Sequence, residues 1–577
     1  METKELPSAE SGARPVDDHT EERERIVAED VRPVTEAPDD IRYAIDRMVV
    51  RGGRIFGWGW ISDRCRVIET VSLIIEGDGW RSQLSVNYGL AREDVSRAFP
   101  GFVDAGRSGF VATGYTRPGV IRRFAIEARY IDGGKATLDV TGAVENLARG
   151  RRKLREIGWI VRAVARRARR GDFRGILARA RAQNYLAPWL QDDGIARTLR
   201  AQTGAGERMT IMFDHTMGGG ANVYRERAIE DRVAAGHAVL LCTYNLPTLD
   251  YRLALRRKSD DAPVYRISTF VPLDALIAEG RIDEIVLNSP VSFDEPLVFA
   301  EWLAAVRESH PSLRLTVAVH DYFVVCPSFP LLDAEGRYCG IPALAQCESC
   351  IARHRASYVA LTPRTTIGAW RAIWGRCLDA ADEIRCFSES TKALLLRAYP
   401  ALDWTRISVV PHRVDYLPAR LPRIDARAPL AIGVIGHISE QKGAGIVREI
   451  VGRLDREQRN ARVVVIGTLD ARIASPRLAV TGTYRRDELV DLIEAQGINM
   501  LLFPSICPET FSYVIEEATR LRLPIVAFDL GAPGERLRRH PDARLCSTVS
   551  ADSAFHTLIA FHRERASALE GASSAAL

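Results

Sequence analysis

Residues 503–535 read FPSICPETFSYVIEEATRLRLPIVAFDLGAPGE. The order is strand, loop, helix, strand: Pro508 precedes the helix, Thr510 or Ser512 supplies its N-cap, and LPIVAF begins the second strand. Val514, Ile515, Ala518 and Leu521 recur at helical spacing and predict the buried stripe, with Arg522 in the last turn. Glu509 then falls in the loop at the helix mouth, Glu516 points away from the stripe, and Glu517 lies at its flank. Free amides in a first helical turn hold anions such as phosphate, and carboxylates beside them accept hydrogen bonds from hydroxyls.

Working outward, LAIGVIGHI (430–438), a loop ending at Gly443, a helix to about Glu457 and RVVVIGT (462–468) read as a β–α–β unit. A second such unit begins at MTIMFDHT (209–216). It continues through a tight loop at Gly218, Gly219 and Gly220, a helix over 221–235 closed by Gly236, and the strand AVLLCTYN (238–245). EIVLNSP and LRLTVAVHD add further strands. Two units in tandem predict an α/β chain with two Rossmann-like domains, at 207–410 and 411–577. The Gly-rich loop is not GxGxxG, and no acid closes a following strand as a ribose ligand, which disfavours a nicotinamide dinucleotide.

The rest of the chain differs in texture. Residues 1–40 hold thirteen acids, five bases, four prolines and no aromatics, a composition that predicts a disordered tail. Residues 41–147 show short alternating runs such as RFAIEARYID and predict a small β-sandwich. Trp58 and Trp60 share one strand face there, as buried packing or as a sugar-stacking platform. Residues 148–206 form a linker. Its 149–181 segment has thirteen Lys/Arg against two acids, with Leu154, Ile157, Val161, Val164 and Ala168 at helical spacing. This basic amphipathic helix is either a solvated connector or a contact with an anionic membrane surface. No apolar run approaches the roughly 20 residues of a spanning helix, and the first residues lack the apolar core of a signal peptide. The expected location is cytoplasmic, peripheral on the inner face of the cell membrane. A net charge of +5 over 577 residues gives no reason to expect nucleic acid as a partner.

The 503–535 segment resembles the signature of the family 4 retaining glycosyltransferases of the GT-B fold, a Glu followed after seven residues by a second Glu. The resemblance covers about 207–550 and is tightest over 430–535. It implies that Glu509 meets the donor sugar and Glu517 the nucleotide ribose. Thr510, Phe511 and Ser512 match the stretch whose backbone contacts sugar and phosphate. In GVIGHISEQKG, Lys442 matches a lysine that neutralises the donor diphosphate, while His437 stands where such proteins carry Arg. Arg413, in VVPHRVD, is then either a substitute charge or a surface residue. The resemblance also places a cleft histidine near His320, contacting the donor sugar, and the Gly218–Gly220 loop over the reaction centre.

The resemblance therefore implies a glycosyltransferase using a nucleotide-sugar donor, with Glu509, His320 and Lys442 as its catalytic residues. It also implies retention of configuration, no cofactor for catalysis, and a glycan or lipid-linked acceptor, in bacterial surface polysaccharide synthesis. A sugar-nucleotide epimerase of the same fold and a non-catalytic glycan-binding scaffold are the alternatives. Separately, Cys326, Cys339, Cys347 and Cys350 form C-x12-C-x7-C-x2-C. That is either a structural zinc knuckle or four unliganded thiols in a loop.

Overall fold

The computed structural model describes residues 40–146 and 192–575, apart from 52–53, 91, 117–119, 205–206, 246–248, 259–263, 268, 294, 355, 361, 363–364 and 472. The acidic tail, save Asp40, and the basic 149–181 segment lie outside the described residues. What is described of the linker includes the helix Asp192–Gln202, whose Ile195 and Leu199 are buried in the core of the first α/β layer.

The N-terminal region is a two-sheet sandwich. One sheet orders Asn87–Leu90, Gly109–Tyr115, Arg54–Asp63, Ile41–Arg51 and Glu145–Asn146; the other orders Trp80–Ser85, Ile68–Gly77, Ile121–Tyr130 and Lys135–Asp139. Alternation sends Ile55 and Ile61 inward and Phe56, Trp58 and Trp60 to the outer face. That outer face is covered. Phe56 joins the core of the first α/β layer and Trp58 packs against it, while Trp60 meets the Phe99 ring at 5.4 Å. Both tryptophans are packing residues, and the sugar-platform alternative is set aside.

The first α/β layer is built on an eight-stranded sheet. Its order is Val264–Ile267, Asp250–Arg256, Ala238–Asn245, Met209–Asp214, Ile282–Leu287, Arg314–Ala318, Glu383–Cys386 and Ile407–Val409. Asp250–Arg256 runs antiparallel to both neighbours; the other pairs are parallel. The second layer is a six-stranded, wholly parallel sheet ordered Leu478–Val480, Ala461–Leu469, Leu430–Ile438, Met500–Phe503, Ile525–Phe528 and Ala543–Cys546. Numbered from Leu430–Ile438, that order is 3-2-1-4-5-6, the doubly wound Rossmann arrangement. Parallel strands are buried on both faces, which is why LAIGVI and RVVVIG read as nearly continuous apolar runs. Two such sheets facing one another are the GT-B architecture.

Candidate functional site

In an open parallel sheet, ligands bind beyond the carboxyl ends of the strands where the strand order reverses. In the second layer that point lies between Leu430–Ile438 and Met500–Phe503. The loop after the first strand carries Lys442 and the loop after the second carries Glu509. Lys442 Nζ stands 3.9 Å from Glu509 Oε1, with the lysine half exposed and the carboxylate largely buried. Glu509 Oε1 itself accepts no hydrogen bond. A buried acceptor left unpaired costs about 1–3 kcal/mol, a deficit that a ligand hydroxyl would remove. The Glu509 backbone is fixed from behind: Ala532 N–H donates to its carbonyl at 2.9 Å. Gly531 adopts φ +52°, and a Cβ there would lie 2.7 Å from the same oxygen. Gly443, at φ +86°, likewise packs where a Cβ would run into the Pro504 carbonyl.

The following helix is Tyr513–Arg520, capped by Ser512, whose hydroxyl accepts from Ile515 N–H at 3.5 Å. It is shorter than the sequence predicts, since Arg522 lies beyond its end in a left-handed conformation at φ +52°. Thr510 does not cap it. Its hydroxyl donates across the cleft to the His320 carbonyl at 2.7 Å, and the buried Thr391 hydroxyl donates to the Thr510 carbonyl at 3.3 Å. Two further expectations are corrected. Glu517 is only 2% exposed, deeper than a flank position, and its Oε1 accepts from the Tyr416 hydroxyl. Glu516 is not a free surface acid, because Arg520 and Arg536 bind it at 2.8 and 2.9 Å.

The first layer presents His320 at the same cleft. His320 Nε2 pairs with Asn288 Oδ1 at 2.8 Å, and Asn288 Nδ2 donates to the Ala221 carbonyl at 3.1 Å. This amide orientation puts the imidazole proton on Nε2 and leaves the Nδ1 lone pair as an acceptor. The ring stacks on Phe387 at 4.3 Å. Burial, with His412 and His215 nearby, holds its pKa well below the usual histidine range, so it stays neutral. Asp321 is committed elsewhere: Phe323 N–H and the Ser289 hydroxyl each donate to it at 2.8 Å. The Phe511 ring stacks on His412 at 4.4 Å.

Residues 429–561 match the family Glycosyl transferases group 1. The chain carries a group 1 glycosyl transferase domain. It is 23% identical over 295 residues to the UDP-GlcNAc:ribostamycin N-acetylglucosaminyltransferase of Streptomyces fradiae, spanning 48% of this chain and 69% of the relative. Among solved structures, sucrose-phosphate synthase of Thermosynechococcus elongatus is similar at TM-score 0.40 and 15% identity, over 63% of this chain and 94% of that one. HepE of Anabaena, solved with UDP and glucose, is similar at TM-score 0.38 and 13% identity, over 61% and 89%. The matched domain is that of a glycosyltransferase enzyme.

Other residues named from the sequence of this glycosyltransferase fall in several places. Gly219 (φ +86°) begins the Gly220–Ala234 helix, and Gly218 N–H donates to Asn222 Oδ1 at 2.7 Å. Gly220 faces the Tyr513 ring of the second layer, 3.2 Å from where its Cβ would stand, so the glycine loop does reach the cleft. His437 is exposed, with Nδ1 on the Thr468 hydroxyl at 2.6 Å and Nε2 3.5 Å from Asp470. Arg413 pairs with Asp231 at 2.7 Å on the surface of the joint between the layers, where its charge is already matched. Among the described residues no group of three or more His, Cys, Asp or Glu is placed to hold a metal. Cys347 instead lies 3.6 Å from both the Pro342 carbonyl and the Arg371 guanidinium. Sequence reasoning missed Asn288, Thr391 and Tyr416, which occupy no recognisable motif and gain their positions from long-range packing. It also missed Glu535, which accepts from Ser390 N–H at 2.7 Å across the cleft.

Proposed function

We propose that the enzyme transfers a sugar from a nucleoside diphosphate donor to a hydroxyl of a glycan or lipid-linked glycan, with retention of configuration, in assembly of a bacterial surface polysaccharide. The observation that carries the donor site is Lys442 facing, at 3.9 Å, a Glu509 Oε1 that accepts no hydrogen bond, at the switch point of the second sheet. In this mechanism Lys442 and the amides of the Tyr513–Arg520 helix balance charge on the departing diphosphate. Glu509 and the Nδ1 lone pair of His320 take hydroxyls of the sugar as it becomes oxocarbenium-like. The acceptor hydroxyl attacks from the leaving-group face, and its proton passes to the departing phosphate. Glu517 takes the ribose.

A panel of nucleotide sugars, UDP-GlcNAc first because the Streptomyces relative is named for it, tests the proposal through acceptor-dependent release of nucleoside diphosphate. Isomerised donor without release would mark an epimerase, and binding without turnover a scaffold.

Two further parts of the proposal lie apart from the cleft. The 149–181 segment carries thirteen basic minus two acidic residues, +11, against +5 for the chain. Near an anionic leaflet each such charge contributes on the order of 1 kcal/mol, and we place the enzyme there. No helix among the described residues is long and apolar enough to cross a membrane. Salt-sensitive sedimentation with anionic but not neutral vesicles, lost when Arg155, Arg162, Arg166 and Arg169 become Glu, is the expected result. Zinc on Cys326, Cys339, Cys347 and Cys350 would require the loop to draw the thiols together. Metal analysis of protein purified without added metal decides it, with one zinc per chain expected.

A further inference from the structure

The carboxylate of Glu517 is held by a residue outside its own domain's helices. Tyr416 lies on the segment that joins the two α/β layers, and its hydroxyl donates to Glu517 Oε1. The phenol ring is fixed in turn. The Arg486 guanidinium lies 5.0 Å from the Tyr416 centroid and 4.8 Å from that of Tyr513, bracketed by the two rings. The neighbouring Asp415 is bound by Arg227 of the first layer at 2.7 Å, and Arg227 also donates to the Arg413 carbonyl at 2.5 Å. Glu517 is 2% exposed, so it has little water to satisfy it, and burial raises its pKa while the Tyr416 hydroxyl and Arg486 oppose that rise.

A carboxylate on a side chain with free torsions meets a ligand hydroxyl in many orientations. One whose first oxygen is anchored by a rigid phenol presents its second oxygen in a single direction. We propose that Tyr416 is a positioning residue of the donor site: by holding Oε1 it aims Oε2 of Glu517 at the ribose 2′-hydroxyl, and so sets discrimination between ribonucleotide and 2′-deoxyribonucleotide donors. This rests on Glu517 being the ribose ligand, as proposed above. The hydroxyl anchoring that carboxylate comes from the joint whose Asp415 the first layer grips. Nucleotide selection and the setting of the two layers therefore share one short segment, the adjacent Asp415 and Tyr416.

Calorimetric titration of the full chain with UDP, GDP and ADP identifies the tightest ribonucleoside diphosphate; that ligand and its 2′-deoxy counterpart are then the probes. Wild type should favour the ribo form by about 10-fold, the worth of one hydrogen bond to a charged group. Tyr416→Phe keeps the ring for Arg486 and should reduce that ratio to about 2-fold, weakening the ribo form and sparing the deoxy form. Glu517→Gln should lose the same discrimination, and the double variant should lose no more than either alone, as expected when two residues act through one contact. A Tyr416→Phe variant that keeps the wild-type ratio, or weakens both ligands equally, overturns the inference while leaving the donor site standing. Should Tyr416→Phe fail to fold, undiminished discrimination in Glu517→Gln overturns it instead. Wild type that binds none of the three nucleotides takes down the donor proposal as well.

Discussion

Glu516 and Glu517 are adjacent in sequence and opposite in circumstance. Glu517 faces inward and meets Tyr416, 101 residues away, whereas Glu516 ties its own helix to the next through Arg520 and Arg536. Helical spacing shows which face a residue takes, but not that Arg536 will arrive from a different helix, so Glu516 reads as a free acid in sequence alone. Both arginines are about half exposed, which limits the worth of the pairs. Glu516→Ala is expected to lower stability by about 1 kcal/mol, seen as a lower melting temperature, with turnover within about threefold of wild type because nothing in the cleft changes. Glu509 and Lys442 are named instead by the resemblance of their motifs, and the structure puts each in a loop that follows an apolar parallel strand beside the switch point of the second sheet.

At the scale of elements, the interior parallel strands were readable because burial on both faces selects runs of Val, Ile and Leu, as at residues 463–466 of Ala461–Leu469. The antiparallel strand Asp250–Arg256 and the edge strand Val264–Ile267 mix arginine with apolar residues and gave no comparable signal. The loop that carries Glu509 depends on an element after it. Gly531 opens the Gly531–Leu537 helix at φ +52°, pressed against the Glu509 carbonyl. Gly531→Ala puts a Cβ 2.7 Å from that oxygen in a backbone conformation L-residues avoid. The expected cost is about 1–3 kcal/mol of stability. Turnover should fall further than a chemical denaturation midpoint alone explains, since the displaced loop carries Glu509. Unchanged kinetics in the folded variant would separate the loop from the site.

At the scale of the molecule, the two layers meet through a buried cluster of rings that no single segment reveals. His412, on the joint, stacks on Phe511, accepts or donates at 2.9 Å with the Tyr513 hydroxyl, and faces Tyr224, His320 and Phe387 of the first layer. Burial, reinforced by the Arg227 charge, lowers its pKa from 6.5 to about 3. The folded chain therefore keeps this ring neutral where the unfolded chain protonates it. Its stability contribution is fully present above about pH 6.5 and falls as the pH drops toward about 3, by about 1.4 kcal/mol per unit. His320 shifts in the same direction. Denaturant melts of His412→Gln between pH 4 and 7 should show a shallower dependence than wild type, whatever the absolute loss from the missing ring; an identical slope would place the titrating group elsewhere.

The cleft between the layers is where these scales join, because Thr510 is fixed to the His320 carbonyl and Glu509 precedes it by one residue. The most direct measurement is acceptor-dependent release of nucleoside diphosphate by wild type, Glu509→Ala and Lys442→Ala at saturating donor, with melting temperatures taken on the same samples. Turnover is expected to fall by about 10²-fold or more in each variant, as for loss of a group that acts on transition-state charge and orientation, with folding unchanged. Either variant turning over within about threefold of wild type would contradict the assignment of the donor site.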